Sequence, residues 1–185
     1  MPSQADKLRH LLDADKLHVM PCCFDALSAK LIEQADFDLT FMSGFAASAS
    51  RIGQPDLGLM SYGEVLDHVG NITNVVDFPL IADGDTGYGN AMNVRRTVAG
   101  FAKAGAAAIM IEDQLSPKRC GHTPGKAVVP REEAFDRIRA ANDARADGAD
   151  ILILARTDAR HEHGLGEAID RAARFKALGA DILFV

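Results

Sequence analysis

Residues 103–113 read K-A-G-A-A-A-I-M-I-E-D, and residues 146–158 read A-D-G-A-D-I-L-I-L-A-R-T-D. A third version, A-L-G-A-D-I-L-F-V, occupies 177–185. In each, a glycine follows helix-type sequence, a small residue comes next, and an aliphatic run begins. Gly105, Gly148 and Gly179 hold the place of helix C-caps, and the runs after them predict short strands. Runs that are apolar at every position, without alternation, belong to parallel strands covered on both faces. L-T-F-M-S-G at 39–44 and P-L-I-A-D-G-D at 79–85 extend the series, and H-V-M-P-C-C-F at 18–24 predicts a first strand.

Amphipathic helices separate these runs. Ala91, Val94, Val98 and Phe101 fall on one helical face, as do Leu165, Ala168, Ile169, Ala172 and Phe175. Helices are also expected over 5–14 and 131–146. No long linker, low-complexity tract or charge run interrupts the pattern. Six strands alternating with helices define an α/β chain. They suit a doubly wound sheet or a (β/α)8 barrel, and the barrel usually needs about 250 residues. The sequence stops at Val185, inside the expected sixth strand. The expectation is one incomplete domain over 1–185, truncated after about strand six.

The totals exclude several classes. The 185 residues are 48% hydrophobic and 25% charged, with a net charge of −6, which is ordinary for one globular domain and gives no attraction for nucleic acid or an anionic membrane. No apolar run approaches the roughly 20 residues of a membrane span. The polar start, M-P-S-Q-A-D-K-L-R-H, is unlike a secretory signal. Three cysteines are too few and too unevenly spaced for a disulfide framework, and a reducing, cytoplasmic setting is expected.

Parallel α/β folds gather their functional groups at the carboxyl ends of strands. Strand two ends in Ser43-Gly44, strand three in Asp83-Gly84-Asp85, strand four in Glu112-Asp113 and strand five in Arg156-Thr157-Asp158. Asp83, Asp85 and Glu112 are therefore candidate metal ligands. Their hard oxygens suit Mg²⁺ or Mn²⁺, and no dense histidine cluster points to zinc. The other reading of these carboxylates is helix capping. D-G-D-T-G-Y-G lacks the spacing of a phosphate-binding loop, so its glycines are read as tight turns or close backbone approaches. Arg156 is placed to clamp a substrate carboxylate, or to pair with a rim carboxylate.

After strand four the chain runs E-D-Q-L-S-P-K-R-C-G-H at 112–122, then T-P-G-K. Prolines and glycines make 114–126 a loop with hinges, a candidate lid. Cys120 sits between Arg119 and His122 with Lys118 near, and cationic neighbours favour a usable thiol acid or nucleophile.

Taken together, D-G-D-T-G-Y-G, I-E-D-Q and P-K-R-C-G-H closely resemble the isocitrate lyase/phosphoenolpyruvate mutase superfamily. F-M-S-G-F-A-A-S-A-S and G-Q-P-D-L-G add to the match. Within it, the chain looks nearest the 2-methylisocitrate lyase, 2,3-dimethylmalate lyase and petal-death-type (oxaloacetate hydrolase) group. The resemblance implies a (β/α)8 barrel of TIM type and Mg²⁺ near Asp83, Asp85 and Glu112, with Asp85 the candidate for direct contact. It implies that Ser43, Gly44 and Phe45 hold the 2-oxo or 2-hydroxy acid end, that Asp56 faces the same site, and that Arg156 binds a carboxylate. Lys118, Cys120, Gly121 and His122 would form a gating loop over 114–126, with Cys120 the general acid. A small carboxylic acid would be the substrate, and a homo-oligomer (a tetramer in complete family members) is expected. The implied activity is cleavage of a 2-hydroxy di- or tricarboxylic acid into a 2-oxo acid and a second acid. Oxaloacetate hydrolysis or decarboxylation, and a carboxyphosphonoenolpyruvate mutase-like phosphonomutase activity, remain open alternatives.

Overall fold

The computed structural model describes residues 2–121 and 123–185. Its six strands are β1 (Cys22–Cys23), β2 (Thr40–Met42), β3 (Leu80–Asp83), β4 (Ala108–Glu112), β5 (Leu152–Arg156) and β6 (Ile182–Phe184). Seven helices alternate with them: α1 (Gln4–Leu12), α2 (Ala26–Gln34), α3 (Gly44–Ile52), α4 (Tyr62–Thr73), α5 (Ala91–Lys103), α6 (Arg131–Ala146) and α7 (Ala159–Ala177).

All strands are parallel, and they lie side by side in chain order from β1 to β6. A doubly wound sheet reverses direction at a switch point; a barrel wall does not. The sequential order therefore decides for the barrel. The central strands β3 and β4 are buried at every position, as their unbroken apolar runs require. One face of the sheet packs on the helix layer through Ile109, Ile111, Ile153, Val98, Phe101, Ile138 and Phe175. Ile81, Met110, Leu152 and Leu154 form a second cluster, against Leu8 of α1.

Gly105, Gly148 and Gly179 all have positive φ just past α5, α6 and α7, as C-caps do. The face expected on α5 is buried at Val94, Val98 and Phe101. On α7 the expectation needs correction. Ala168, Ala172 and Phe175 are buried, but Leu165 and Ile169 are about half exposed. Gly164, with φ 85°, breaks the helix before Leu165, and the buried stripe runs through Arg171 instead. The first strand is also shorter than expected, only Cys22–Cys23.

Candidate active site

The polar strand ends meet around one cavity of about 760 Å³ at the carboxyl edge of the sheet. Ser43, Phe45, Asp56, Asp83, Glu112, Lys118, Cys120, Gly121 and Arg156 all line it. Gly44 and Asp85 lie just behind, beside Asp56 and Tyr88. A second cavity of the same size opens near the amino ends of the strands, between α1, α5 and α6, where Arg95 is paired to Asp147.

Lys118 organises the floor. Its ammonium is 2.6 Å from Asp56 Oδ1 and 2.7 Å from Asp85 Oδ1, with the side chain almost wholly buried. Burial works against its charge, but the surrounding carboxylates, Asp85 foremost, hold its pKa above the ordinary lysine value. Asp85 is pushed up to about 7 by burial and then by Asp83, against the opposing pull of Lys118. Glu112 is raised well above its usual value by burial and by Asp83, with Lys118 and Arg156 opposing.

Asp83 accepts from Gly44 N (3.2 Å) and Asp85 N (3.0 Å). Gly44 opens α3, so Asp83 satisfies one of the unpaired first-turn N–H groups of that helix. The reading of these carboxylates as caps of the helices that follow them is not realised, since Asn90 caps α5, while Asp83 supports the earlier helix α3, whose own N-cap is Ser43. The approach demands glycine: a Cβ on Gly44 would stand 2.6 Å from Asp83 Oδ2. Ser43 spends its hydroxyl as the N-cap of α3, and Phe45 is half exposed at the cavity.

Among the described residues, no three His, Cys, Asp or Glu side chains close into a metal cage. Asp83 is near enough to Asp85 and Glu112 to raise their pKa values, but the three do not surround an ion alone. Their chemistry still fits Mg²⁺, which takes one or two carboxylates and fills its shell with water and substrate oxygen. Glu112 Oε1 is buried without a hydrogen-bond partner, the state of an oxygen available to a cation, whereas Asp85 Oδ1 already faces the Lys118 ammonium.

Arg156 realises the pairing with rim carboxylates. Its guanidinium bonds Asp158 (2.9 Å), lies 3.8 Å from Glu112 Oε2, and stacks over Phe184 at 4.9 Å. It also lines the cavity, where a substrate carboxylate could reach it. Gly121 covers it so closely that a Cβ there would stand 2.2 Å from Arg156 Nη2.

Residues 114–121 and 123–126 fold over this floor. The limbs are joined by a bridge between Gln114 and Val128 and by Leu115 N donating to Ala127 O (2.8 Å), and the Ser116–Pro117 peptide is cis. Cys120 is buried, and its amide donates to Asp56 O at 3.1 Å. His122 lies outside the described residues. Gln114 clips Arg119 at both its N–H and its C=O, and Lys126 donates to Gly121 O. Neither side chain was singled out from the sequence, nor was Tyr88, whose hydroxyl is buried without a partner beside the carboxylates. Tyr88 belongs to the quoted D-G-D-T-G-Y-G, so position alone offered a signal for it.

The family profile of phosphoenolpyruvate phosphomutase matches residues 8–185. The chain belongs to the phosphoenolpyruvate mutase/isocitrate lyase superfamily. A 2,3-dimethylmalate lyase of Eubacterium barkeri is 46% identical over 181 residues, covering 98% of this chain and 62% of the lyase. An oxaloacetate acetylhydrolase solved with the inhibitor 3,3-difluorooxalacetate superimposes with a TM-score of 0.94 at 43% identity, over 98% of this chain and 62% of the other. A phosphonopyruvate hydrolase solved with oxalate and Mg²⁺ gives 0.88 at 38% identity, over 100% and 63%. The chain thus spans less than two thirds of the length of these relatives.

Proposed function

We propose that this chain carries the chemical centre of a Mg²⁺-dependent carbon–carbon lyase. Its substrate would be a 2-hydroxy di- or tricarboxylic acid of the 2-alkylmalate or 2-methylisocitrate type. The observation that carries the reading is the convergence of Cys120, Lys118 and Arg156 on one cavity floored by Asp56, Asp83 and Glu112. A thiol, two cations and buried carboxylates around a single space are what such a cleavage uses.

Glu112, with its unpartnered Oε1, would hold the ion together with Asp85 just behind the cavity and Asp83 at its lining. The ion supplies acidification of the substrate's 2-hydroxyl and a counter-charge for its carboxylate. Ser43, Gly44 and Phe45 border the 2-oxo acid end. Arg156 takes a carboxylate by a charge-assisted contact. As the C2–C3 bond breaks, the 2-hydroxyl gives its proton to a carboxylate of the floor, the bond's electron pair leaves with the second fragment, and C2 becomes a ketone. Lys118 faces that growing negative charge from a site that excludes water, where a fixed cation acts strongly. Cys120 Sγ–H returns one proton to the departing carbon. His122 belongs with Lys118 on the strength of the loop motif.

Hydrolysis of oxaloacetate is the second reading, favoured by the likeness to the acetylhydrolase. The test is a product scan by NMR with Mg²⁺ and a panel of 2-methylisocitrate, 2,3-dimethylmalate, oxaloacetate and phosphonopyruvate. A 2-oxo acid from a malate-type substrate supports the lyase; oxalate plus acetate moves the chain to the hydrolases. Self-association belongs to the same proposal and is read by light scattering on the purified chain, as does a reducing, cytoplasmic setting, with which the three free cysteines agree.

A further inference from the structure

The tip of the loop, Lys118 to Gly121, is held over the cavity by two side chains from its limbs. Gln114 grips Arg119 from one limb, accepting from Arg119 N and donating to Arg119 O, both at 3.0 Å. Lys126 reaches Gly121 O from the other, at 2.6 Å. Both then spend a further hydrogen bond on the same carboxylate. Gln114 Nε2 donates to Asp158 Oδ2 at 3.0 Å, and Lys126 Nζ to Asp158 Oδ1 at 3.1 Å. Arg156 Nη2 donates to that same Oδ1 at 2.9 Å.

Asp158 is well placed to be this shared anchor. It follows β5 at the carboxyl edge, and its side chain is 6% exposed. Its amide is fixed at 3.0 Å to Asp113 Oδ1, and Thr157 Oγ1 donates to Asp113 Oδ2 at 2.7 Å, so the turn that carries it is tied to β4. Asp113 is in turn held by Arg171 of α7. The carboxylate is therefore rigid from below and fully subscribed from above.

We propose that Asp158 is a positioning residue for the proposed reaction: it latches both limbs of the 114–126 loop and ties them to Arg156, so that Cys120 and the carboxylate clamp are set against each other. The inference rests on the reading of 114–126 as the loop that brings the thiol to the substrate. Asp158 touches neither the thiol nor the floor carboxylates. It acts through Gln114, Lys126 and Arg156. Only a group that accepts on both oxygens can do this. An asparagine places an N–H₂ donor against either Gln114 or the two cations, and one limb loses its acceptor.

The test is limited trypsin digestion of the whole chain, read by mass spectrometry, on wild type and Asp158→Asn. In the wild type, cleavage after Lys118 is slow because Lys118 is 5% exposed, and cleavage after the exposed Arg119 is slow because Gln114 pins its backbone. Loss of one or two hydrogen bonds at the latch raises the open population, so cleavage at these two bonds quickens by about tenfold in the variant. Cleavage at helical arginines stays as in wild type at a temperature well below the melting point of both proteins, whose difference is measured alongside. Equal loop cleavage in both proteins overturns the proposal. So does an increase spread evenly over the chain, which a merely structural role would give. Should Asp158→Asn fail to fold, Lys126→Met removes one limb's bond alone, and an unchanged rate after Lys118 and Arg119 overturns the latch. Digestion needs no turnover, so a quickened loop in a protein that cleaves no malate-type substrate would keep the latch and sink the lyase reading.

Discussion

Cys120 is the residue on which the proposed chemistry turns. It is buried at the cavity, with its backbone tied to Asp56 and its neighbour Lys118 committed to Asp56 and Asp85. Serine keeps the size and loses the acidity. Cys120→Ser is therefore expected to lower turnover by about 100-fold or more, the usual worth of a positioned acid, with substrate affinity nearly unchanged by calorimetry. Gly121→Ala acts differently. Its Cβ would meet Arg156 Nη2, so the loop or the clamp must move. The expected result is a raised KM for a dicarboxylate with little change in melting temperature. Most of these residues were legible in the sequence because strand ends and a loop motif announce them. What was not legible is the commitment of each side chain. Ser43 reads as a substrate ligand but caps α3, and Asp83 reads as a metal ligand but also receives the first N–H of that helix. Such assignments depend on where a second element begins, and spacing along the chain does not encode that.

At the scale of elements, α7 is fastened to β4 by charge as well as by packing. Arg171 Nη1 donates to Asp113 Oδ2 at 3.0 Å and to Val129 O at 2.9 Å, and both side chains are almost fully buried. Arg171→Met strands a buried carboxylate and is expected to cost about 3–5 kcal/mol in chemical denaturation. A second change, Asp113→Asn, recovers much of that loss. Next along the helix, Glu167 receives hydrogen bonds from Arg131 and Arg171, which hold its pKa down at about 2. A depressed carboxylate stabilises the fold above its unfolded value and loses that contribution as pH falls through the folded one. The melting temperature of wild type should therefore drop more steeply than that of Glu167→Gln between pH 4.5 and 2. Parallel melting curves would contradict the assignment. The α7 face was misread because Leu165 and Ile169 look like core residues by spacing. The break at Gly164 and the burial of a paired arginine turn the helix another way.

Across the whole molecule, the strand order and the cavity are two aspects of one arrangement. Sequential parallel strands bring every carboxyl end to the same edge, and Glu112, Arg156 and Phe184 stand in register on neighbouring strands there. That alternation was readable from the repeated glycine-plus-aliphatic phrase. The helices α2, α3 and α4 were less so, being short or small-residue-rich, with α3 starting directly from the Ser43-Gly44 strand end. Like charges gathered at this edge favour a bound cation. Mg²⁺ should raise the melting temperature of wild type, EDTA should reverse the rise, and Asp85→Asn should remove most of it. The most direct measurement of the central claim is NMR of the products formed from 2,3-dimethylmalate by the chain with Mg²⁺ in D₂O. Cleavage between C2 and C3 with a protein acid predicts pyruvate and propionate, the propionate carrying a single deuterium on the former C3, and no reaction in EDTA. Absence of both products, or an identical spectrum with and without Mg²⁺, would contradict the account.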